Sequence, residues 1–168
     1  ALALALSGCG EAEGERRSAF VPTPAPDFVG IDAWLNSEPL SIAALRGRVV
    51  LIEFWTYRCI NCLNTLPHVV AWDRKYRDRG LVTIGIHTPE TDEERATAQV
   101  RAAMERLGID FPVALDNGYR TWDRYGNIAW PATYVVDRKG RIVHRRYGEG
   151  EYARTEAVIA AALAETAH

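Results

Sequence analysis

Cysteine is scarce in this chain, and neither sign of charge is in excess. Its 168 residues include three cysteines, and 20 lysines and arginines stand against 22 aspartates and glutamates, so the formal net charge is −2. A nearly neutral chain offers no broad cationic surface, so we expect neither nucleic acid nor an anionic membrane surface as a partner. The sequence also lacks any run of about 18 apolar residues, so it predicts no membrane-spanning helix.

The shortage of cysteine also limits metal binding. Cys59 and Cys62 are close together, whereas the third cysteine, Cys9, lies in a segment of different character. The close pair fits half of a zinc site, but a tetrahedral structural site needs four ligands. It also fits a purely structural disulfide, although so short a loop gains little closure entropy. We expect neither a bound metal nor a cofactor.

A continuous apolar stretch leads into the close pair. Val49–Trp55 has the composition of a strand buried on both faces, and Cys59 follows at the predicted start of a helix. A thiol there lies among unpaired N–H groups at the positive end of the helix dipole, and Arg58 adds a positive charge. These surroundings favour the thiolate, the attacking species in disulfide exchange. Since Cys62 lies about one turn further on, the pair is predicted to be a redox dithiol.

Glu53 interrupts the apolar stretch. Burial without a charged partner raises the pKa of a carboxyl group and favours its protonated form. Glu53 is therefore a candidate proton shuttle beneath the dithiol. The alternative is that its side chain reaches solvent from a strand end or a sheet edge.

The N-terminal part of the chain shows no pattern of a folded core. Residues 1–9 resemble the end of a signal peptide with the Leu-Ser-Gly-Cys ending of a bacterial lipoprotein, which predicts lipidation of Cys9. The protein would then be extracytoplasmic, lipid-anchored in the periplasm or on the outer face of the membrane, a location that suits a dithiol. A fortuitous apolar run is the alternative. Residues 10–26 are rich in charge and proline and are predicted to be a linker, and residues 27–168 one domain.

Strands and helices alternate along this predicted domain. Residues 27–47 are expected to form a short strand or hairpin and one helical turn, and the helix from Cys59 is expected to end at Arg79-Gly80. Seven further elements are predicted from apolar periodicity and turn residues: strand Leu81–His87, helix 90–107, strand Ile109–Leu115, helix Tyr119–Tyr125, the hairpin strands Ala132–Asp137 and Arg141–Tyr147, and helix Tyr152–Thr166.

This order of elements resembles the thioredoxin fold, an α/β architecture with a central mixed sheet flanked by helices. The resemblance rests on Glu53-Phe54-Trp55 before the dithiol, on Pro67 within the helix and on Pro131-Ala132-Thr133 before the hairpin. Segments 90–118 and 34–47 resemble the insertion and N-terminal hairpin of TlpA-like and ResA-like thiol–disulfide oxidoreductases. Finer motifs resemble the thioredoxin-like domain of the DipZ subgroup: Trp55–Cys62, Leu66-Pro67, Gly85–Glu90, Tyr125–Asn127, Trp130–Ala132 and Tyr147–Gly150.

The resemblance implies roles for four residues. Cys59 would be the nucleophile and Cys62 the resolving thiol, and Glu53 would take the place of the buried carboxylate that accepts the proton of the second thiol. Pro131 would follow a cis peptide bond beside the sulfurs. DipZ proteins join this domain to a membrane electron-transfer domain, and a lipid anchor would substitute for that tether here.

Four residues near the dithiol are candidate substrate contacts: Trp130, Arg58, Ile60 and Asn61. Trp130 is a substrate-facing aromatic by analogy with the fold, and the alternative is that it belongs to the core. Ile60-Asn61 replaces the Gly-Pro of thioredoxin, so the redox potential of thioredoxin is not transferable. His87, at a strand end, either lines the site or is an ordinary polar cap.

These observations predict a monomeric thiol–disulfide oxidoreductase that exchanges electrons with protein disulfides and has a membrane electron donor or acceptor as its partner. A reductase in cytochrome c maturation and an oxidase that introduces disulfides both stay open, because direction depends on redox potential. A thiol peroxidase of the alkyl hydroperoxide reductase type shares the fold, and Thr56 fits its nucleophile loop, but no proline precedes it. A non-catalytic binding module is the third alternative.

Overall fold

The computed structural model describes residues 20–165. The predicted signal segment 1–9 with Cys9, and most of the predicted linker, lie outside the described residues. Within residues 20–165, no helix combines the length and the apolar character needed to cross a membrane.

One seven-stranded sheet organises the described chain. Its strands are β1 Thr23–Pro24, β2 Ala33–Leu35, β3 Val49–Trp55, β4 Leu81–His87, β5 Val113–Leu115, β6 Ala132–Val136 and β7 Arg141–Tyr147. Their order across the sheet is β1-β7-β6-β3-β4-β5-β2. The pairs β3/β4 and β4/β5 are parallel, and the other pairs are antiparallel, so the predicted mixed sheet is confirmed.

Helices cover both faces of this sheet. They are α1 Ile60–Tyr76, α2 Thr97–Leu107, α3 Arg120–Arg124 and α4 Tyr152–Ala164, with short 3₁₀ turns at Arg77–Arg79 and Asp92–Arg95. The predicted bounds of β3, β4 and β7 match the observed ones.

All seven residues of β3 are buried, which explains its continuous apolar composition. Successive side chains point to opposite faces. Leu51 and Trp55 pack into the cluster that contains residues of α1 and α4, whereas Ile52 and Phe54 pack into the cluster that contains Trp122 of α3. Each large aliphatic side chain buried in this way contributes roughly 1.5–3 kcal/mol. The two cores hold the central strand in place from both sides.

Of the two alternatives for residues 27–47, the short strand is observed and the hairpin is not. β2 is the one strand of this segment and pairs with β5 at one edge of the sheet, whereas β1 precedes the segment and pairs with β7 at the opposite edge. The predicted linker boundary is also too late, because Thr23–Pro24 already belongs to the sheet. Proline has no N–H to donate, but an edge strand needs only one bonded side, and the neighbouring Ala25 donates its N–H to the carbonyl of Gly140 at 2.9 Å.

The predicted helix over 90–107 is divided in two. Ala96 is extended, with φ −71° and ψ 114°, and it separates the 3₁₀ turn from α2. The buried Glu94 carboxylate accepts hydrogen bonds from the N–H groups of Glu90, at 2.6 Å, and Thr91, at 3.3 Å. The acidic residues Asp92, Glu93 and Glu94 therefore belong to the separate turn and not to the first turn of α2.

The strand predicted over Ile109–Leu115 is observed only over Val113–Leu115. Ile109 is held at the end of α2 instead, because its N–H donates to the carbonyl of Met104.

Gly85 lets β4 approach the indole of Trp55. A Cβ atom at this position would lie 2.9 Å from Trp55 Nε1 and 3.2 Å from Val113 Cγ2. We expect Gly85→Ala to lower the free energy of unfolding by about 1–3 kcal/mol, because the well-packed core must shift. The urea midpoint at unchanged slope measures this loss. The matched control is Gly118→Ala, since the nearest atom there is 3.8 Å away; equal midpoints for both variants would contradict the packing argument.

Candidate active site

Three segments meet where the central strands end. β3 and β4 run parallel and pair Trp55 with His87 at their last residues. β6 runs antiparallel to β3 and pairs Ala132 with Phe54. The sheet register therefore brings the Cys59 segment, the end of β4 and the Trp130-Pro131 segment to one edge of the sheet.

Cys59 is the N-cap residue of α1. Its Sγ atom accepts a hydrogen bond from the N–H of Cys62 at 3.3 Å. No acidic residue lies in the first turn of the helix, so nothing there opposes the positive end of the dipole. The Cys59 side chain is partly exposed, and the predicted helix start is confirmed at this residue.

Cys62 is fully buried. Burial raises the pKa of its thiol far above the usual range, and a hydrogen bond to Cys59 acts in the same direction, while a backbone hydrogen bond from Thr56 opposes it. In the structure both thiols are free. One sulfur thus meets solvent and the other is sealed in the core.

Glu53 is fully buried on the same face of β3 as Trp55. Its Oε2 atom accepts a hydrogen bond from Thr133 Oγ1 at 2.6 Å, and its Oε1 atom has no hydrogen-bond partner within residues 20–165. Burial raises the pKa of this carboxyl to about 8, although the Thr133 hydrogen bond partly opposes the shift. The alternative that Glu53 reaches solvent is therefore wrong.

Glu53 and Cys62 interact. The charge of the carboxylate is among the causes that raise the pKa of the Cys62 thiol. The protonation states of the two groups are therefore linked.

The peptide bond between Trp130 and Pro131 is cis, as the resemblance implied. Pro131 is buried, and its carbonyl accepts a hydrogen bond from Gly148 N–H at 2.8 Å. The indole Nε1 of Trp130 donates to the carbonyl of Thr88 at 2.9 Å, and its ring lies 4.1 Å from that of Trp122. Trp130 is partly exposed and packs against both core clusters, so one part of its side chain belongs to the core and another part faces solvent.

His87 is not a polar cap. Its side chain is fully buried, with ring centroids 5.1 Å from Trp55 and 5.6 Å from Tyr57. Neither ring nitrogen has a hydrogen-bond partner in the described part of the chain. Burial lowers the pKa of His87 to about 4, so the ring is neutral at physiological pH.

The predicted substrate contacts Arg58, Ile60 and Asn61 are exposed around Cys59. Ile60 is 67% exposed, which is unusual for so large an apolar side chain. Ile128, 74% exposed, is a second such residue, and it is not among the contacts predicted from the sequence. Its position in the loop before Trp130 could have revealed it, because an apolar residue outside any periodic element has no core to join.

The thioredoxin-like fold is confirmed, and the fold and the paired cysteines together place the protein in the thioredoxin-like class, which includes the thiol-disulfide oxidoreductase YkuV. The Redoxin family model matches residues 21–163, so the chain belongs to the Redoxin family.

Known relatives agree with this class. The chain is 45% identical over 157 residues to Protein DipZ of Mycobacterium tuberculosis, with 92% of this chain and 22% of DipZ covered. It is 28% identical to the thiol-disulfide oxidoreductase YkuV of Bacillus subtilis, with 85% and 96% covered. The crystal structure of the thioredoxin-like superfamily protein SPOA0173 superposes with a TM-score of 0.80 at 27% identity, covering 86% of this chain and 99% of the other. The chain spans only about a fifth of the length of DipZ.

Burial of Glu53 makes the stability of the reduced protein depend on pH. Its pKa is about 8 when folded and 4.5 in the unfolded reference, so between these values the folded state binds more protons and stability falls as pH rises. Glu53→Gln keeps an acceptor for Thr133 and removes the titratable group. As the pH rises from 4.5 to 8.5, we expect the free energy of unfolding of Glu53→Gln to increase by roughly 3–5 kcal/mol relative to that of the wild type.

Urea unfolding of both proteins across this range, with the thiols kept reduced, measures the difference. Glu105→Gln, on an exposed part of α2, is the control for the amide substitution. A difference between Glu53→Gln and the wild type that is constant with pH would contradict a buried, protonated Glu53.

Proposed function

We propose that this chain exchanges electrons with disulfides of other proteins through Cys59 and Cys62. The observation that carries the proposal is the unequal exposure of the two sulfurs: Cys59 caps a helix at the surface, and Cys62 lies fully buried behind it. Only the first can meet a partner's disulfide, and only the second is shielded from competing partners.

In the reducing direction, the Cys59 thiolate attacks one sulfur of the substrate disulfide. A bond forms between Cys59 Sγ and that sulfur, and the second substrate sulfur leaves as a thiolate and takes up a proton. Cys62 then loses its proton and attacks Cys59 Sγ, which releases the first substrate sulfur. The substrate gains two electrons, and the Cys59–Cys62 pair becomes a disulfide. The oxidising direction is the reverse.

Glu53 supports the second step by accepting the proton of Cys62. With a pKa of about 8, a minor fraction of this carboxyl is ionised near neutral pH, and that fraction can act as a general base. The carboxylate is also near enough to Cys62 to affect its pKa. Pro131, in the cis-proline segment, is proposed to lie beside the sulfurs and to guide the substrate strand.

Trp130, Arg58, Ile60 and Asn61 are proposed to contact the substrate around Cys59, together with Ile128. Exposed apolar side chains on a monomer mark interaction sites when they are grouped. Ile60 and Ile128 belong to the two segments that the sheet brings to the same edge.

We expect Cys59→Ser to lower the rate of reduction of a protein disulfide such as insulin by about a hundredfold or more, because Cys62, the remaining thiol within residues 20–165, is buried. Cys62→Ser should instead accumulate a mixed disulfide between Cys59 and the substrate, visible by non-reducing electrophoresis. Cys9→Ser is the matched control and should keep wild-type activity.

Full activity of Cys59→Ser would contradict the proposal and favour a binding module. Fast consumption of hydrogen peroxide by the wild type, without activity on protein disulfides, would favour the thiol peroxidase.

The finer proposal places the protein outside the cytoplasm, tethered through a lipid on Cys9, with a membrane electron partner and cytochrome c maturation as the process served. The Leu-Ser-Gly-Cys ending supports the tether. The similarity to DipZ supports a membrane context, though the match covers a small part of that protein.

In cells that express the protein with its natural leader, we expect Cys9→Ser to abolish incorporation of labelled fatty acid and to release the protein from the membrane fraction. Cys62→Ser is the control, because its sulfur is buried away from the surface. Labelling that survives Cys9→Ser would exclude this anchor.

A further inference from the structure

An open groove of about 610 Å³ lies next to the segment that carries Cys59. Tyr57 and Arg58, directly before the nucleophile, form one wall. The other wall comes from the 3₁₀ turn and α2 and consists of Glu93, Ala96, Gln99 and Arg106. The volume lies within the range of ligand-binding pockets, and Arg58 in the wall of the groove directly precedes Cys59 in the chain.

Tyr57 joins the two walls. Its ring stacks on buried His87 at an interplanar angle of 16°, and its hydroxyl donates to the carbonyl of Glu93 at 3.3 Å. Because His87 is fully buried, its contact with Tyr57 anchors the wall to the core. The groove is therefore a fixed feature beside Cys59.

The groove has a net positive charge. Arg58 and Arg106 are exposed, and neither forms an ion pair within residues 20–165. Glu93 is the one carboxylate among the lining residues. Hydrogen bonds from its own N–H and from the Thr91 hydroxyl lower the pKa of Glu93, so this carboxylate is ionised and offsets one of the two arginine charges. One cation is thus left uncompensated in the groove.

We propose that this groove binds an acidic segment of the protein whose disulfide reacts with Cys59, which rests on the function proposed above. Aspartate or glutamate side chains near the reactive cysteine of the partner would pair with Arg58 and Arg106. Gln99 can both donate to and accept from the partner's backbone, and the small side chain of Ala96 leaves room for it. The chemistry selects a polypeptide with carboxylates close to its disulfide.

Such binding acts on the rate of disulfide exchange. An anchored segment holds the substrate sulfur near Cys59 and raises the effective concentration of the reacting groups. Charge complementarity between exposed groups also speeds encounter and is weakened by salt. The effect should therefore appear in kcat/KM, at low ionic strength, for acidic substrates.

The test uses two disulfide-bonded peptides that are identical except for glutamate or glutamine at the positions flanking the disulfide. We expect the wild type to favour the acidic peptide in kcat/KM by roughly threefold to tenfold at low salt, from two exposed ion pairs. Arg106→Glu should remove or invert this preference. Arg101→Glu is the matched control, since Arg101 lies on the same helix but lines a different groove, and it should keep the preference.

At an ionic strength of about 1 M, where the screening length is about 3 Å, the wild-type preference should disappear.

Each failure has a distinct meaning. A wild type that reduces both peptides at equal rates would overturn the acidic-segment proposal and leave the proposed function intact. A wild type that reduces neither would overturn the proposed function itself. Equal loss of preference in Arg106→Glu and Arg101→Glu would assign the preference to overall charge, and a preference that survives in Arg106→Glu would exclude the groove.

Discussion

A carboxyl group held in the apolar interior beside a buried thiol is the constraint on which the rest of this structure depends. Glu53 lies in β3, which is buried along its whole length, and its one described hydrogen-bond partner is the Thr133 hydroxyl at 2.6 Å. Ionising it there is unfavourable, since a lone buried charge loses its hydration without an ion pair in return. The apolar residues around it must offset that cost, and β3 supplies them on both faces. The proposed proton acceptor is thus held at a defined place at a cost in stability.

The helix that follows β3 converts this interior into a redox site with two unequal sulfurs. The N-cap position puts Cys59 at the positive end of α1 and at the surface, and one turn of helix carries Cys62 into the core. Cys59 precedes the first helical residue at the rim of the core cluster, whereas Cys62 lies within the first turn on the face that packs into this cluster. Glu53 is buried in β3, and its charge acts on the pKa of the deeper sulfur. In the proposed mechanism, attack therefore takes place at the surface and proton transfer in the interior.

The central part of the fold was predictable from the sequence, and its edges were not. The bounds of β3, β4 and β7 follow from apolar runs and alternation, which are local signals. β1 and β2 have two and three residues, and their places at opposite edges depend on partners far along the chain. The burial of His87 was likewise not predictable from local sequence. A histidine at a strand end suggests an exposed polar residue, and its burial depends on packing against Trp55 and Tyr57. The burial of Glu53, by contrast, follows from the strand around it.

Thr88 explains why three distant segments form one reactive surface. Its N–H donates to the carbonyl of Trp55 at 3.2 Å, and its carbonyl accepts from the Trp130 indole at 2.9 Å. Next to it, the carbonyl of His87 accepts from the N–H of Asp116, whose carboxylate accepts from Trp122 N–H at 2.8 Å in α3. The end of β4 thus connects the dithiol segment, the cis-proline segment and the insertion by backbone and side-chain hydrogen bonds. Because buried hydrogen bonds of this kind are costly to leave unpaired, the three segments hold one another in register. The Cys-x-x-Cys turn supplies the chemistry, and this junction determines the surface that a partner protein meets.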